Sequence, residues 1–133
     1  MTLRQEKGRA GEDAAADWLE KAGMRILARN WRSGSYELDI VCGDGYELVF
    51  VEVRLRGKGG LVSPEASMTP AKCRSVVKAA QASLYASGEW DVPCRFDFFC
   101  VRDAGGTFAL DYYRPDFDLT QIMGSDDDVW QTW

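Results

Sequence analysis

Histidine is absent from this 133-residue sequence, and no Cys-x-x-Cys pair occurs in it. The lack of histidine excludes Ser-His-Asp and Cys-His catalysis, because both need an imidazole as the general base. A zinc site would have to gather scattered cysteines. We instead expect buried thiols in a reducing cytosol at Cys42, Cys73, Cys94 and Cys100. Hydrolytic chemistry in this chain must therefore use carboxylates, lysine, tyrosine or a metal.

Long hydrophobic runs are also absent, although 46% of the residues are apolar. No stretch approaches the roughly 20 apolar residues that span a bilayer, and the polar N-terminus lacks the apolar core of a signal peptide. We therefore expect a cytoplasmic protein without a membrane partner. The length is that of one domain, which we place at residues 1–115, followed by an acidic tail at 116–133.

The net charge of −5 argues against nucleic-acid binding, but the charge is unevenly distributed. Residues 1–80 carry 13 Lys and Arg against 11 Asp and Glu, whereas residues 81–133 carry 3 against 10. Local potential governs the attraction of phosphate, so the first part of the chain can still meet a nucleic acid. The end of the tail, an Asp run before Trp130 and Trp133, has two interpretations: a docking peptide for a protein partner, or a disordered end.

Periodicity predicts two helices and five strands in the order αβββαββ. The resulting fold is α/β, with a mixed sheet of about five strands flanked by helices. Gly43-Asp44-Gly45 predicts a hairpin between the second and third strands, and the Gly-rich segment 56–68 predicts a loop. The predicted helices are 5–23 and 69–87, and the predicted strands are 24–32, 36–42, 47–55, 94–102 and 107–113.

Two carboxylates interrupt the apolar runs of the predicted hairpin. Asp39 lies in one strand and Glu52 in the next, and Arg54 follows Glu52 at a spacing that puts both on one surface. A carboxylate in an apolar strand is costly unless a cation or partner neutralises it. A divalent metal is one such partner. An internal ion-pair network with Arg54, Arg32 and Lys72 is the alternative.

Two further acids each have two interpretations. Helical spacing puts Glu12 along the edge of an apolar stripe, where it is either a member of the site or a solvated first-turn residue that complements the helix dipole. In the second predicted strand, residues 36–42, alternation places Leu38, Ile40 and Cys42 on one face and Glu37, Asp39 and Val41 on the other. Asp97, in an aromatic run, is either a secondary site residue or a partner for a basic side chain.

Several segments together resemble a known family. They are Lys7-Gly8-Arg9-Ala10-Gly11-Glu12, Ala28-Arg29-Asn30-Trp31-Arg32, Tyr36-Glu37-Leu38-Asp39-Ile40-Val41, Phe50-Val51-Glu52-Val53-Arg54-Leu55-Arg56, Ser67-Met68-Thr69-Pro70-Ala71-Lys72 and Arg95-Phe96-Asp97. This arrangement resembles the PD-(D/E)xK nuclease core and, within that superfamily, the bacterial YraN family of predicted endonucleases. The resemblance implies a restriction-endonuclease-like core.

The resemblance also implies a site. Asp39, Glu52 and the Val53 carbonyl would bind Mg²⁺ or Mn²⁺, and Glu12 would be a further member, as in the archaeal Holliday-junction resolvases. Arg54 would stabilise charge at the phosphate. The flanking phosphates would be bound by basic residues after the third strand and at the start of the second helix, namely Arg56, Lys58, Lys72 and Arg74.

The function implied is that of a metal-dependent endonuclease acting on branched or structured DNA. In the resembling nucleases a lysine stands where this chain has Arg54, and arginine keeps the charge but stays protonated and cannot pass a proton. The alternative is therefore a protein that keeps the fold and binds DNA without cleaving it, as a homodimer or with a partner docked through the tail. The third possibility is the purely structural ion-pair network.

Overall fold

Two helices and five strands make up residues 3–56 and 69–113, the part of the chain that the computed structural model describes. They are α1 (Leu3–Lys21), β1 (Arg25–Ser33), β2 (Tyr36–Asp44), β3 (Glu47–Arg56), α2 (Pro70–Ser87), β4 (Cys94–Asp103) and β5 (Phe108–Tyr113). The predicted order αβββαββ is confirmed. Beyond Arg56, the predicted loop falls outside the described residues, and so does the acidic tail.

The five strands form one mixed sheet in the order β1-β2-β3-β4-β5. Neighbouring strands are antiparallel except β3 and β4, which are parallel. A parallel pair cannot be closed by a short hairpin, and α2 provides the crossover between β3 and β4. This five-stranded sheet with two helices is the predicted α/β fold and is consistent with a restriction-endonuclease-like core.

Each face of the sheet buries one helix. On one face α1 packs Ala15 and Leu19 against residues that include Ile40 and Phe99. On the other, α2 packs Ala80 and Leu84 among residues that include Phe50. Alternating side chains of the central strands supply both cores, as expected for a sheet covered on its two sides. Neither described helix has the length and apolarity needed to cross a membrane.

Both ends of α2 are capped as the sequence predicts. Thr69 is the N-cap, and its hydroxyl accepts a hydrogen bond from the Lys72 amide at 3.2 Å, with Pro70 starting the helix. Gly88 ends the helix in the left-handed region at φ 73°, where its amide donates to the Leu84 carbonyl. The capped first turn therefore gives the backbone of Lys72 a defined position beside β3.

Strand β2 departs from the predicted alternation next to Asp39. Leu38 packs with Val41 in the core beneath α2, whereas Ile40 packs in the core beneath α1, so Leu38 and Ile40 do not share a face as predicted. The register of β1 and β2 would place Asn30 opposite Asp39, and Asn30 has a left-handed φ of 51°. A left-handed residue is irregular in an extended strand, and the pairing of β1 with β2 has a further irregularity between Ile26 and Ala28.

Gly11 permits the close approach of α1 to the sheet. A Cβ atom at this position would lie 3.3 Å from Leu55 Cδ1 and 3.4 Å from Val101 Cγ1, whereas a Cβ atom at Gly8 would meet nothing within 4 Å. The helix residue that follows Gly11 is Glu12. The distance between α1 and β3 therefore depends on a missing side chain immediately before Glu12.

We expect Gly11→Val to lower the free energy of unfolding by about 2 kcal/mol, because the added methyl groups overpack the contact between α1 and the sheet. Gly8→Val is the matched control: it has the same chemistry in the same helix but has open space around it, so its effect should be small. Urea denaturation of both variants measures the difference. Equal destabilisation by the two variants would contradict this account of Gly11.

Candidate active site

Asp39 lies where the ladder between β2 and β3 ends. The ladder ends at the backbone pair of Ile40 with Val51, and one further step of this register sets Asp39 opposite Glu52. The Asp39 Oδ2 atom accepts a hydrogen bond of 2.8 Å from the Val53 amide. The side chain thus satisfies a β3 amide at the point where backbone pairing with β2 stops, and it is held between the two strands.

Glu52 is almost completely buried, with 8% of its surface exposed. Lys72 Nζ lies 3.0 Å from Glu52 Oε1, and Arg54 Nε lies 3.6 Å from the same oxygen. Burial, followed by the negative charge of Asp39, raises the pKa of Glu52 to about 7, although Lys72 and Arg54 act in the opposite direction. Two cations therefore do not fully offset the cost of burying this carboxylate.

Glu12 reaches the same region from α1. The residue is half-buried, and its Oε1 atom is buried without a hydrogen-bond partner. Burial and then the charge of Asp39 raise the pKa of Glu12, while the charge of Arg29 and a hydrogen bond with Asn30 lower it. Glu12 is therefore not the solvated first-turn residue of the simpler interpretation, and it belongs electrostatically with Asp39.

The three carboxylates come from three elements: Glu12 from α1, Asp39 from β2 and Glu52 from β3. Asp39 is the neighbour that the two glutamates share, because its charge acts on both of them. A donor set made only of carboxylate oxygens suits Mg²⁺ or Mn²⁺, and the unpartnered Glu12 Oε1 is an oxygen that a cation would satisfy. Within residues 3–56 and 69–113, however, no group of three or more His, Cys, Asp or Glu side chains is arranged to hold a metal ion. The carboxylates are the kind of ligand that such an ion prefers. The positive charges that contact Glu52 are those of Lys72 and Arg54.

The ion-pair alternative is correct only for part of its predicted network. Lys72 and Arg54 contact Glu52, as that alternative requires. Arg32 instead pairs with Glu37 at 3.4 Å on the exposed part of β1 and β2. The Arg32 contribution is therefore wrong, because Glu37 is the acid opposite Arg32 in the register of these strands.

The predicted phosphate-binding residues are described to different extents. Lys72 contacts Glu52 in the site, and Arg74 is exposed nearby in the first turns of α2. Arg56 ends β3, and only its backbone is described. Lys58 lies outside the described residues.

Asp97 is a partner for a basic side chain. It is 1% exposed, Arg95 Nε lies 3.1 Å from its Oδ2 atom, and the Tyr112 hydroxyl donates a hydrogen bond to the same oxygen. Arg95 also contacts Asp44 and Glu47 beside the β2–β3 turn. This cluster therefore joins β4 and β5 to the turn end of the hairpin.

Sequence reasoning missed Asn30 and Arg29 as neighbours of the site. Asn30 adopts a left-handed backbone conformation that asparagine tolerates better than most residues, and its side chain lowers the pKa of Glu12. Arg29 pairs with Asp13 at 2.7 Å and moderates the charge around Glu12. An Asn inside a predicted strand is the signal that could have identified this irregularity.

Comparison with known proteins places the chain in a family. Residues 11–101, which include Glu12, Asp39, Glu52 and Lys72, match the model of a family described as "Uncharacterised protein family UPF0102". The chain belongs to the UPF0102 family. This family is the YraN family that the sequence motifs resembled, so that resemblance is confirmed.

Relatives of this UPF0102 chain match it over nearly its whole length. A UPF0102 protein of Nitratidesulfovibrio vulgaris is 46% identical over 133 residues, which cover 100% of this chain and 99% of the relative. One of Lawsonia intracellularis is 43% identical over 128 residues, covering 96% and 97%. One of Bacteroides thetaiotaomicron is 40% identical over 117 residues, covering 88% and 96%. The similarity therefore includes the elements that carry the three acidic and two basic residues of the site, Glu12, Asp39, Glu52, Arg54 and Lys72.

We expect Glu52→Gln to stabilise the protein at pH 8 by up to about 3 kcal/mol, because each pKa unit corresponds to about 1.4 kcal/mol. The pKa of Glu52 rises from an ordinary 4.5 to about 7 on folding. Between these values the folded state binds more protons than the unfolded state, so the stability of the parent protein falls as pH rises. The Glu52→Gln variant does not lose stability in this way as pH rises. The difference in the free energy of unfolding between variant and parent should therefore vanish near pH 4.

Urea denaturation at pH 4.5 and pH 8, with reductant and chelator present, measures this difference. Glu37→Gln, an exposed position of β2, is the control and should show little pH-dependent gain. A Glu52→Gln variant that is less stable than the parent at pH 8 would show that Lys72 and Arg54 fully compensate the buried charge.

Proposed function

We propose that this UPF0102 protein is a metal-dependent endonuclease that acts on branched or structured DNA. The observation that carries the proposal is that Glu12 and Glu52 both lie near the charge of Asp39: burial, and then that charge, raises the pKa of both glutamates. Like charges brought together beside a buried sheet favour a strongly charged cation. The oxygen-only donor set supports Mg²⁺ or Mn²⁺ as that cation.

Asp39, Glu52 and the Val53 carbonyl would hold the metal, with Glu12 beside it. When bound, such an ion lowers the pKa of a water molecule and polarises a phosphate oxygen. Asp39 is suited to hold a metal in a defined position because its Oδ2 atom accepts a hydrogen bond from the Val53 amide. The hydrogen bond orients the carboxylate without a further conformational change.

Basic residues would bind the phosphodiester. Arg54 lies 3.6 Å from Glu52, has a buried Nε atom without a hydrogen-bond partner, and would stabilise the negative charge that develops on the phosphate. The flanking phosphates would be bound by Lys72 and Arg74 on α2, by Arg56 at the end of β3 and by Lys58, two residues further along the sequence. These contacts would supply affinity for the DNA backbone rather than sequence preference.

A second candidate is a DNA-binding accessory protein without hydrolytic activity. The observation that favours it is the pair of cations on Glu52: Arg54 cannot pass a proton, and Lys72 Nζ lies 3.0 Å from Glu52 Oε1. In this form the protein would act as a homodimer or with a protein partner docked on the acidic tail. Binding of a four-way junction without cleavage would identify this function.

Incubation with a labelled four-way junction and with a linear duplex of the same sequence, in Mg²⁺ or in Mn²⁺, tests the proposal. Metal-dependent cleavage of the junction is the expected result. Cleavage that is equal on both substrates would remove the branched-DNA preference. Absence of cleavage and of metal binding would leave the ion-pair network as the role of these residues.

We expect Asp39→Asn to abolish Mn²⁺ binding in a calorimetric titration and to reduce cleavage at least about a hundredfold, since removing a metal ligand affects several parts of transition-state stabilisation at once. Glu37→Gln removes a negative charge from the same strand at an exposed position and should bind Mn²⁺ as the parent does. Unchanged cleavage by Asp39→Asn would overturn the assignment of the site.

A further inference from the structure

Two cations contact Glu52, and the nearer one, Lys72, lies on a helix and not on the strand that carries Glu52. Lys72 Nζ lies 3.0 Å from Glu52 Oε1 and belongs to α2, whereas Arg54 Nε lies 3.6 Å from the same atom and belongs to β3. The two cations therefore share one carboxylate oxygen. A single negative charge is their common partner, which limits how strongly it can hold both.

The side chains of Lys72 and Arg54 differ in how easily they can move away from Glu52. Arg54 is two residues from Glu52 on the same strand, and its Nε atom is buried. The Lys72 side chain is 37% exposed and extends on a flexible four-carbon stem from the capped first turn of α2. Lys72 can move its ammonium into water without a change in the helix, because snorkelling of this kind needs only side-chain rotations.

A divalent cation bound by Asp39 and Glu52 would add two positive charges beside Lys72. The repulsion between the ion and the ammonium opposes their simultaneous contact with one buried carboxylate. The ammonium that leaves Glu52 loses its counter-ion and is then available to an anion. The anion present at this place in the proposed function is a DNA phosphate.

We infer that Lys72 is an exchangeable counter-ion: it neutralises Glu52 when no metal is bound, leaves when a divalent cation binds, and then contacts the DNA phosphate. This inference rests on the proposed function, since it requires a cation at Glu52. It makes metal binding and DNA binding mutually reinforcing, because a coupling between two ligands acts equally in both directions. Lys72 is the residue that carries the coupling.

The first test compares Mn²⁺ binding by Lys72→Gln and Lys78→Gln, using calorimetry at pH 8. Both variants lose one positive charge from α2, but Lys78 is exposed and lies further along the helix. Lys72→Gln should bind Mn²⁺ about tenfold more tightly than the parent, because a like charge next to the ion has been removed. Lys78→Gln should bind as the parent does.

The second test uses the unaltered protein. Brief acetylation followed by mass spectrometry reports the accessibility of each lysine, with and without Mn²⁺. Acetylation of Lys72 should rise severalfold when Mn²⁺ is added and should return to its initial level when EDTA removes the ion. Acetylation of Lys78 should not change. This measurement does not depend on the folding of a variant.

The third test uses fluorescence anisotropy to measure the affinity for a labelled four-way junction built with cleavage-resistant phosphorothioate linkages, and a gel afterwards shows that the junction is intact. Mn²⁺ should tighten binding by the parent and by Lys78→Gln, and tighten it less for Lys72→Gln. Equal tightening in all three proteins would overturn the phosphate-binding role of Lys72.

The outcomes separate the two proposals. A parent protein that binds Mn²⁺, with no gain in Lys72→Gln and no change in Lys72 labelling, would overturn the counter-ion inference and leave the proposed function intact. A parent protein that binds no Mn²⁺ would overturn both. A gain in Mn²⁺ affinity that Lys78→Gln shares would assign the effect to general charge and also contradict the inference.

Discussion

The hydrogen bond from the Val53 amide to Asp39 is the interaction on which the rest of the site depends. It forms where the β2–β3 ladder has stopped, and it replaces a backbone acceptor with a carboxylate. The strand end is thereby closed with a negative charge. Glu52, opposite Asp39, and Glu12, from α1, are both near this charge, and burial followed by this charge raises the pKa of both glutamates.

The surrounding architecture explains how these charges are tolerated. Gly11 lets α1 approach the sheet closely, next to Glu12, and the cap at Thr69 sets the first turn of α2, which carries Lys72 to Glu52. Opposite faces of the sheet thus deliver an acid and a base to the same strand end. Neither helix alone could provide this, because each packs on only one side.

Much of this arrangement follows from the sequence. Period-two patterning, the Asp-Gly turn and the Thr-Pro helix start predicted the element order, and the motif spacing predicted that Asp39 and Glu52 meet across a hairpin. An Asn inside a predicted strand signals a break in the pattern, but the left-handed conformation of Asn30 itself depends on tertiary context that overrides local propensity. The sequence also could not distinguish between partners for the charged residues: Arg32 pairs with Glu37, and Asp97 is held by Arg95.

The two ends of the β2–β3 hairpin differ in how firmly they are joined. At the turn, Arg95 contacts Asp44, Glu47 and the buried Asp97, so three strands are fastened by one guanidinium. At the other end, one side-chain bond stands in for the missing ladder. Separating β2 from β3 therefore costs less at the carboxylate end than at the turn, where ion pairs that include a buried acid must also be broken.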